Sequence, residues 1–154
     1  MVLTLPDSRL CLLLLLGLLG MTTLVHAPPP GITWARWFEI QHINMISRQC
    51  TIAMRAINQY NTPRSRRICK NENTFLNTTT LAAVTNLCYT RNITCYRGGN
   101  NCYRSPAAVN LTYCNLTSQG PTYLQCQYQQ YFVLKNYSIA CDRTHVPVHF
   151  DRLY

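Results

Sequence analysis

Acidic side chains are scarce in this chain: 5 Asp and Glu stand against 14 Lys and Arg in 154 residues, a formal net charge of +9. So few acids exclude a surface of balanced charge. The surplus suits a polyanion, either a phosphate polymer such as RNA or an anionic microbial surface, lipopolysaccharide or glycosaminoglycan. Lysine is nearly absent too, with only Lys70 and Lys135. The charge rests on arginines scattered from Arg36 to Arg152, and on the run Arg64-Ser65-Arg66-Arg67, which describes an electropositive surface and not one linear binding motif. After the first 27 residues no apolar run is long enough for a membrane-spanning helix. There is no CxxC pair, and the histidines stand far from the cysteines except near the C-terminal end, so spacing disfavours zinc. No metal and no cofactor is expected, and no internal repeat divides the chain.

The one apolar run, Leu10 to Met21, is about 12 residues, too short for a bilayer of about 30 Å. Val25-His26-Ala27 then offers small residues where a signal peptidase reads. Residues 1–27 are read as a secretory signal and residues 28–154 as a single domain with one modest core. Pro28 fits poorly just after a cut, so the boundary is free to move by a few residues. Cleavage would remove Asp7, Arg9 and Cys11, leaving the charge unchanged and eight cysteines: Cys50, Cys69, Cys88, Cys95, Cys102, Cys114, Cys126 and Cys141. An even set in an oxidising compartment implies four disulfides, and counting alone leaves about 100 pairings open. Five Asn-x-Ser/Thr sites, Asn77, Asn92, Asn110, Asn115 and Asn136, describe a glycosylated surface. Trp34-Ala35-Arg36-Trp37 fits the WxxW pattern of C-mannosylation. A secreted monomer is expected, or one stored in granules or lysosome-like compartments.

Pro28-Pro29-Pro30-Gly31 is a stiff lead-in, and Thr33 is a candidate cap for a first helix over about Trp34 to Ile46, where Trp34, Trp37, Phe38, Gln41, His42 and Met45 recur at helical spacing. Cys50, Met54 and Ile57 repeat the stripe, so a second short helix ends near Tyr60 before Asn61-Thr62-Pro63. A third covers Thr78 to Leu87. Thereafter Tyr, Thr, Val and Ile dominate between turn signals, and Tyr103 to Phe150 reads as antiparallel strands. Helices first and strands second is an α+β fold: three short helices packed on a curved antiparallel sheet.

Four stretches carry chemistry. Cys69-Lys70-Asn71-Glu72-Asn73-Thr74-Phe75 sets a lone lysine beside a potential covalent anchor, able to hold its charge at one point. His42, in Phe38-Glu39-Ile40-Gln41-His42, lies on or beside the buried helical stripe. By itself it reads as a core histidine tied by a hydrogen bond unless a second ionisable group joins it. In Val146-Pro147-Val148-His149-Phe150-Asp151, strand alternation puts Val146, Val148 and Phe150 on one face and His145, His149 and Asp151 on the other. A carboxylate there can fix an imidazole's tautomer and favour its charge, or the segment is an exposed polar edge. Cys95 to Cys102 encloses Gly98-Gly99-Asn100, either a plain staple or a small loop presenting Asn101 to a base edge. Two histidines in opposite protonation states plus one fixed cation are the apparatus for cleaving RNA without a metal, because the ribose 2′-hydroxyl is an internal nucleophile.

Together FEIQH, CKNENTF, the Cys95–Cys102 loop and VPVHFD, in this order with eight cysteines, resemble the secreted pancreatic-type ribonuclease superfamily over the whole of residues 28–154, and most closely its eosinophil branch. The resemblance implies an endoribonuclease cutting single-stranded RNA on the 3′ side of pyrimidines through a 2′,3′-cyclic phosphate, with a host-defence role; a cationic antimicrobial protein with incidental catalysis is the alternative. It implies His42 as general base, His149 as general acid and Lys70 at the transition-state phosphate. Gln41 would also touch phosphate, Asn73 would support the site, Thr74 would select the pyrimidine, Phe150 would line the same pocket, and Asp151 would orient His149. Asn101 and Asp142 match contacts to the following base. The implied bridges are Cys50–Cys114, Cys69–Cys126, Cys88–Cys141 and Cys95–Cys102. Three departures stand out: Asp142-Arg143-Thr144-His145 replaces a long proline-rich insert of the eosinophil relatives, Glu72 puts an acid near Lys70, and Leu153 stands where pancreatic enzymes have serine. His145 is an additional histidine, expected at the surface.

Overall fold

Thr33 opens the first helix, its side-chain oxygen accepting from the Arg36 N–H at 3.1 Å. Helix α1, Trp34–Phe38, passes into a π-helical turn, Glu39–Ile43. The helix ends before the expected Ile46. Asn44 leaves helical space (φ −87°, ψ 72°) and closes the wide turn by donating its N–H to the Glu39 carbonyl at 2.8 Å, which sends Met45 and Ile46 into a loop. The structure, a computed structural model, describes residues 27–61 and 68–154; residues 1–26 of the expected secretory signal, Thr62-Pro63 of the expected turn and the basic run 64–67 lie outside the described residues.

The second predicted helix forms in two pieces, α2 (Cys50–Ala53) and α3 (Arg55–Asn58). Met54 between them keeps helical angles (φ −67°, ψ −19°), so the axis runs on, and Tyr60 and Asn61 close tight i→i−3 bonds beyond it. Helix α4, Leu81–Leu87, starts three residues later than the predicted Thr78. Thr80 is its cap, accepting from the Ala83 N–H at 3.1 Å, whereas the Thr78 hydroxyl donates to the Asn110 carbonyl at 2.7 Å.

Six strands follow the α+β expectation: β1 (Glu72–Phe75), β2 (Cys102–Arg104), β3 (Val109–Ser118), β4 (Gln127–Lys135), β5 (Tyr137–Cys141) and β6 (Pro147–Leu153). They form not one ladder but two three-stranded antiparallel sheets, β1-β3-β4 and β2-β5-β6. The chain passes from one to the other at Asn136, whose amide donates to the Ser105 carbonyl at 2.9 Å. Alternation along β3 serves two cores. Leu111 joins Phe38, Leu76, Val84, Tyr137 and Ile139, while Cys114 faces Ala53, Met54, Ile57, Phe75 and Tyr128.

The bridges are Cys50–Cys114, Cys69–Cys126, Cys88–Cys141 and Cys95–Cys102, the pairing that the resemblance implies. Three of them span 53 to 64 residues, and loops of that length give disulfides their larger effect, typically about 2–4 kcal/mol each.

The strict alternation read for residues 145–151 does not hold. His145 precedes β6 in a turn with φ 59°, its ring stacked on Tyr89 at 4.6 Å and its Nδ1 3.0 Å from the Cys88 carbonyl. Register irregularities opposite Ser138/Ile139 and Ala140/Cys141 leave Asp151 and Val148 out of the ladder. His149, Phe150 and Asp151 therefore find separate neighbours.

Phe38 is fully buried in the first core and also touches the His42 ring. Phe38→Ala is expected to lower unfolding free energy by about 3–5 kcal/mol in urea titration. A loss below about 1 kcal/mol would mean the α1 face is not packed as described.

Candidate active site

Lys70 is fixed before its charge does anything. Its neighbour Cys69 is buried and bridged to Cys126. Its N–H donates to Asn58 Oδ1 at 2.9 Å, and its carbonyl accepts from the Tyr128 hydroxyl, which in turn accepts from Asn58 Nδ2 at 3.0 Å. The ammonium donates to Gln41 Oε1 at 2.8 Å and to Asn73 Oδ1 at 2.9 Å. An ammonium has three donors, so one remains for a ligand. Burial pushes Lys70 down to about 8, against the pull of the Glu72 carboxylate, which favours its charge. Glu72 itself accepts from the Tyr113 hydroxyl at 2.5 Å.

The π-turn delivers Gln41 and His42 to the same place. The Gln41 carbonyl accepts from Asn73 Nδ2 at 2.6 Å, and the His42 carbonyl accepts from the Leu76 N–H at 2.7 Å, clamping the turn to β1. His42 is buried, and its Nδ1 lies 2.8 Å from the Thr74 carbonyl. A carbonyl only accepts, so Nδ1 carries the proton and Nε2 of the neutral ring is bare. Burial above all pushes His42 down to about 3. Lys70 and His149 add to this, and the hydrogen bond to Thr74 opposes it. Phe150 stacks on the His42 ring at 5.2 Å, and Tyr137 stacks behind Phe150 at 6.2 Å.

Thr74 is buried in β1. Because its carbonyl is turned to His42, away from β3, its N–H lies on that side as well. His149 is exposed on β6, edge-on to Trp34 at 4.8 Å.

Gln41, His42, Lys70, Asn73, Thr74 and Phe150 thus share one cluster, with His149 near enough for its charge to act on His42. Asp151 is anchored beside it, accepting from the Tyr96 N–H at 3.0 Å and the Ser138 hydroxyl at 2.7 Å. Asn101 and Asp142 lie apart, in an open depression with Asn100, Tyr103, Arg143 and His145. Asn101 Nδ2 donates to the Cys141 carbonyl at 3.0 Å, and Asp142 is held low by the Thr144 hydroxyl and the Thr144 and Val146 amides. Among the described residues, one group of His, Cys, Asp and Glu atoms is close enough for a metal, Cys95, Cys102 and Asp151, but its two sulfurs are joined to each other.

Asn58 and Tyr128 support the site without a motif to announce them: Asn58 reads only as a helix position, and Tyr128 as one tyrosine in a strand. Trp34, read as a helix position and a WxxW tryptophan, packs edge-on against His149. Helical spacing from Cys50 does place Asn58 one turn beyond Met54, a polar residue on the buried side.

The pancreatic ribonuclease family model matches residues 33–151, and the chain belongs to that family. It is a ribonuclease, with RNA as its substrate.

The buried His42 makes stability depend on acid. Between about pH 3 and its ordinary value of 6.5 the unfolded chain takes up a proton that the folded chain refuses, so stability falls as pH drops through this window. The slope approaches about 1.4 kcal/mol per pH unit. Urea midpoints at pH 7 and pH 4 should differ more in the wild type than in His42→Gln. Equal differences would contradict the burial of a neutral ring.

Proposed function

We propose that this ribonuclease is an exported endonuclease of the eosinophil branch that cuts single-stranded RNA on the 3′ side of pyrimidines by transphosphorylation. The observation that carries the reading is the bare Nε2 of a neutral His42, fixed by the Thr74 carbonyl beside an immobilised Lys70 ammonium.

His42 Nε2 takes the 2′-hydroxyl proton as O2′ attacks phosphorus. The P–O5′ bond breaks, and His149 in its protonated form gives a proton to the departing 5′-oxygen, leaving a 2′,3′-cyclic phosphate and a 5′-hydroxyl. Lys70 directs its remaining N–H at the phosphoryl oxygens where charge gathers, with the Gln41 side-chain amide as a second donor. Slow hydrolysis of the cyclic product reverses the two histidine roles. The Thr74 amide and hydroxyl offer one donor and one donor–acceptor to the O2 and N3 edge of a pyrimidine. Phe150 braces the base histidine, Asp151 positions the acid, and Asn101 and Asp142 receive the following base.

On a fluorogenic dinucleotide, His42→Ala, Lys70→Ala and His149→Ala should each lower kcat/KM by about 10²–10⁴-fold. Full activity in all three would sink the mechanism. On the alkaline side the rate should fall both as His149 loses the proton it gives to the 5′-oxygen and as Lys70, pushed down to about 8, loses its charge. Glu72→Gln removes the carboxylate that helps hold the Lys70 proton on, so the Lys70 part of that fall should move to lower pH. An unmoved limb would detach it from Lys70.

The formal charge of +9 also favours a host-defence role on anionic microbial surfaces, lipopolysaccharide or glycosaminoglycan. Bacterial killing by the His42→Ala/His149→Ala double variant, if undiminished, separates that role from catalysis.

A further inference from the structure

The outer edge of β4 carries a feature that RNA cleavage does not use. The Thr51 hydroxyl donates to the Tyr128 carbonyl at 3.3 Å and accepts from its N–H at 3.0 Å, so helix α2 caps the first half of that edge. Since the Tyr128 backbone points away from β3, the backbones of Gln130, Phe132 and Leu134 point the same way by alternation. Cys50 N–H reaches the Gln130 side chain, and beyond it the edge at Phe132 and Leu134 has no partner among the described residues. Their side chains are 69% and 64% exposed, and Ile46, 66% exposed, lies beside Phe132 in a shallow depression. An open apolar strand edge is a template for pairing with a second chain.

Two sequon asparagines rise from the same patch. Asn110 stands directly opposite Leu134 in the β3–β4 ladder, so the two side chains share a face. Asn77 lines the depression with Ile46 and Phe132, and the Thr78–Asn110 hydrogen bond ties its turn alongside. Both asparagines are exposed, and neither amide nitrogen has a hydrogen-bond partner among the described residues. Asn92 and Asn136 differ, because their amides donate to the Asn100 and Ser105 carbonyls.

We propose that N-linked glycans on Asn77 and Asn110 cover the Ile46–Phe132–Leu134 patch and close the β4 edge, which keeps the chain monomeric. The inference rests on export through a glycosylating compartment. A branched, hydrated sugar fixed at Asn110 sits over the strand that a second copy would have to approach. It needs no contact with the catalytic cluster, so activity on a dinucleotide is unaffected.

The test is secretion from a eukaryotic host, glycopeptide mapping, and light scattering of the purified protein. The expected result is sugar at Asn77 and Asn110, a monomeric wild type, and dimers or larger species in Asn77→Gln/Asn110→Gln with dinucleotide kcat/KM within about twofold. Adding Phe132→Lys should return that variant to monomer, which distinguishes edge pairing from misfolding. Asn92→Gln/Asn136→Gln should stay monomeric. A double variant that remains monomeric, an oligomer that Phe132→Lys does not dissolve, or bare Asn77 and Asn110 would each overturn the shield. Failure of the full chain to be secreted would overturn the exported reading as well, whereas a secreted protein bare at Asn77 and Asn110 would overturn the shield only.

Discussion

A lysine held by both ends of its own peptide unit is the constraint from which the rest of this structure can be reasoned. Side-chain entropy normally lets a lysine sweep its charge through solvent. Here the Cys69–Cys126 bridge, the Asn58 amide and the Tyr128 hydroxyl hold the backbone, and Gln41 and Asn73 hold the ammonium. Each of those partners is itself tied down. Asn73 also binds the Gln41 carbonyl, so the group that steadies Lys70 is the group that docks the π-turn, and the π-turn carries His42. The position of a charge and the position of a bare imidazole nitrogen are therefore set by one hydrogen-bonded unit.

The electrostatics follow from that proximity. Burial and the neighbouring Lys70 keep His42 neutral far below its ordinary range, so the ring is free to accept a proton, as the proposed base must, though only weakly basic. A phosphate lying between Lys70 and His149 would offset the cations that depress His42, and so strengthen the base as substrate arrives. Glu72 acts with the opposite sign on Lys70. Its bond to Tyr113 keeps the carboxylate on β3 while its field still sustains the lysine's charge.

Much of this was legible in the residues. A cysteine beside Lys70 announced an anchor, and helical spacing put His42 next to the buried stripe, where Phe38 and Phe150 enclose it. The α+β division followed from composition. What pattern could not supply was irregular backbone. The wide turn at Glu39–Ile43 obeys no 3.6-residue period, and the two irregularities in the β5–β6 ladder break the alternation that had grouped His145, His149 and Asp151. The division into two sheets was hidden for a related reason: Asn136 is one residue between two runs that both read as strand. Asn58 and Tyr128 were hidden because their partners lie 12 to 70 residues away, beyond any local spacing.

The same strand alternation that builds two cores also constrains when sugars can be attached. In the Asn110 and Asn136 sequons the hydroxyl residues, Thr112 and Ser138, are fully buried, while Asn77 is followed by residues that are exposed or half-buried. An enzyme that must read both the asparagine and its hydroxyl can therefore reach Asn110 only before β3 is enclosed by β1 and β4. Under the proposed shield this order is useful. The sugar on Asn110 would be in place before Phe132 and Leu134 are aligned against β3, so the edge of β4 would be covered at the moment it forms, when an unpaired apolar edge is most exposed to a second chain.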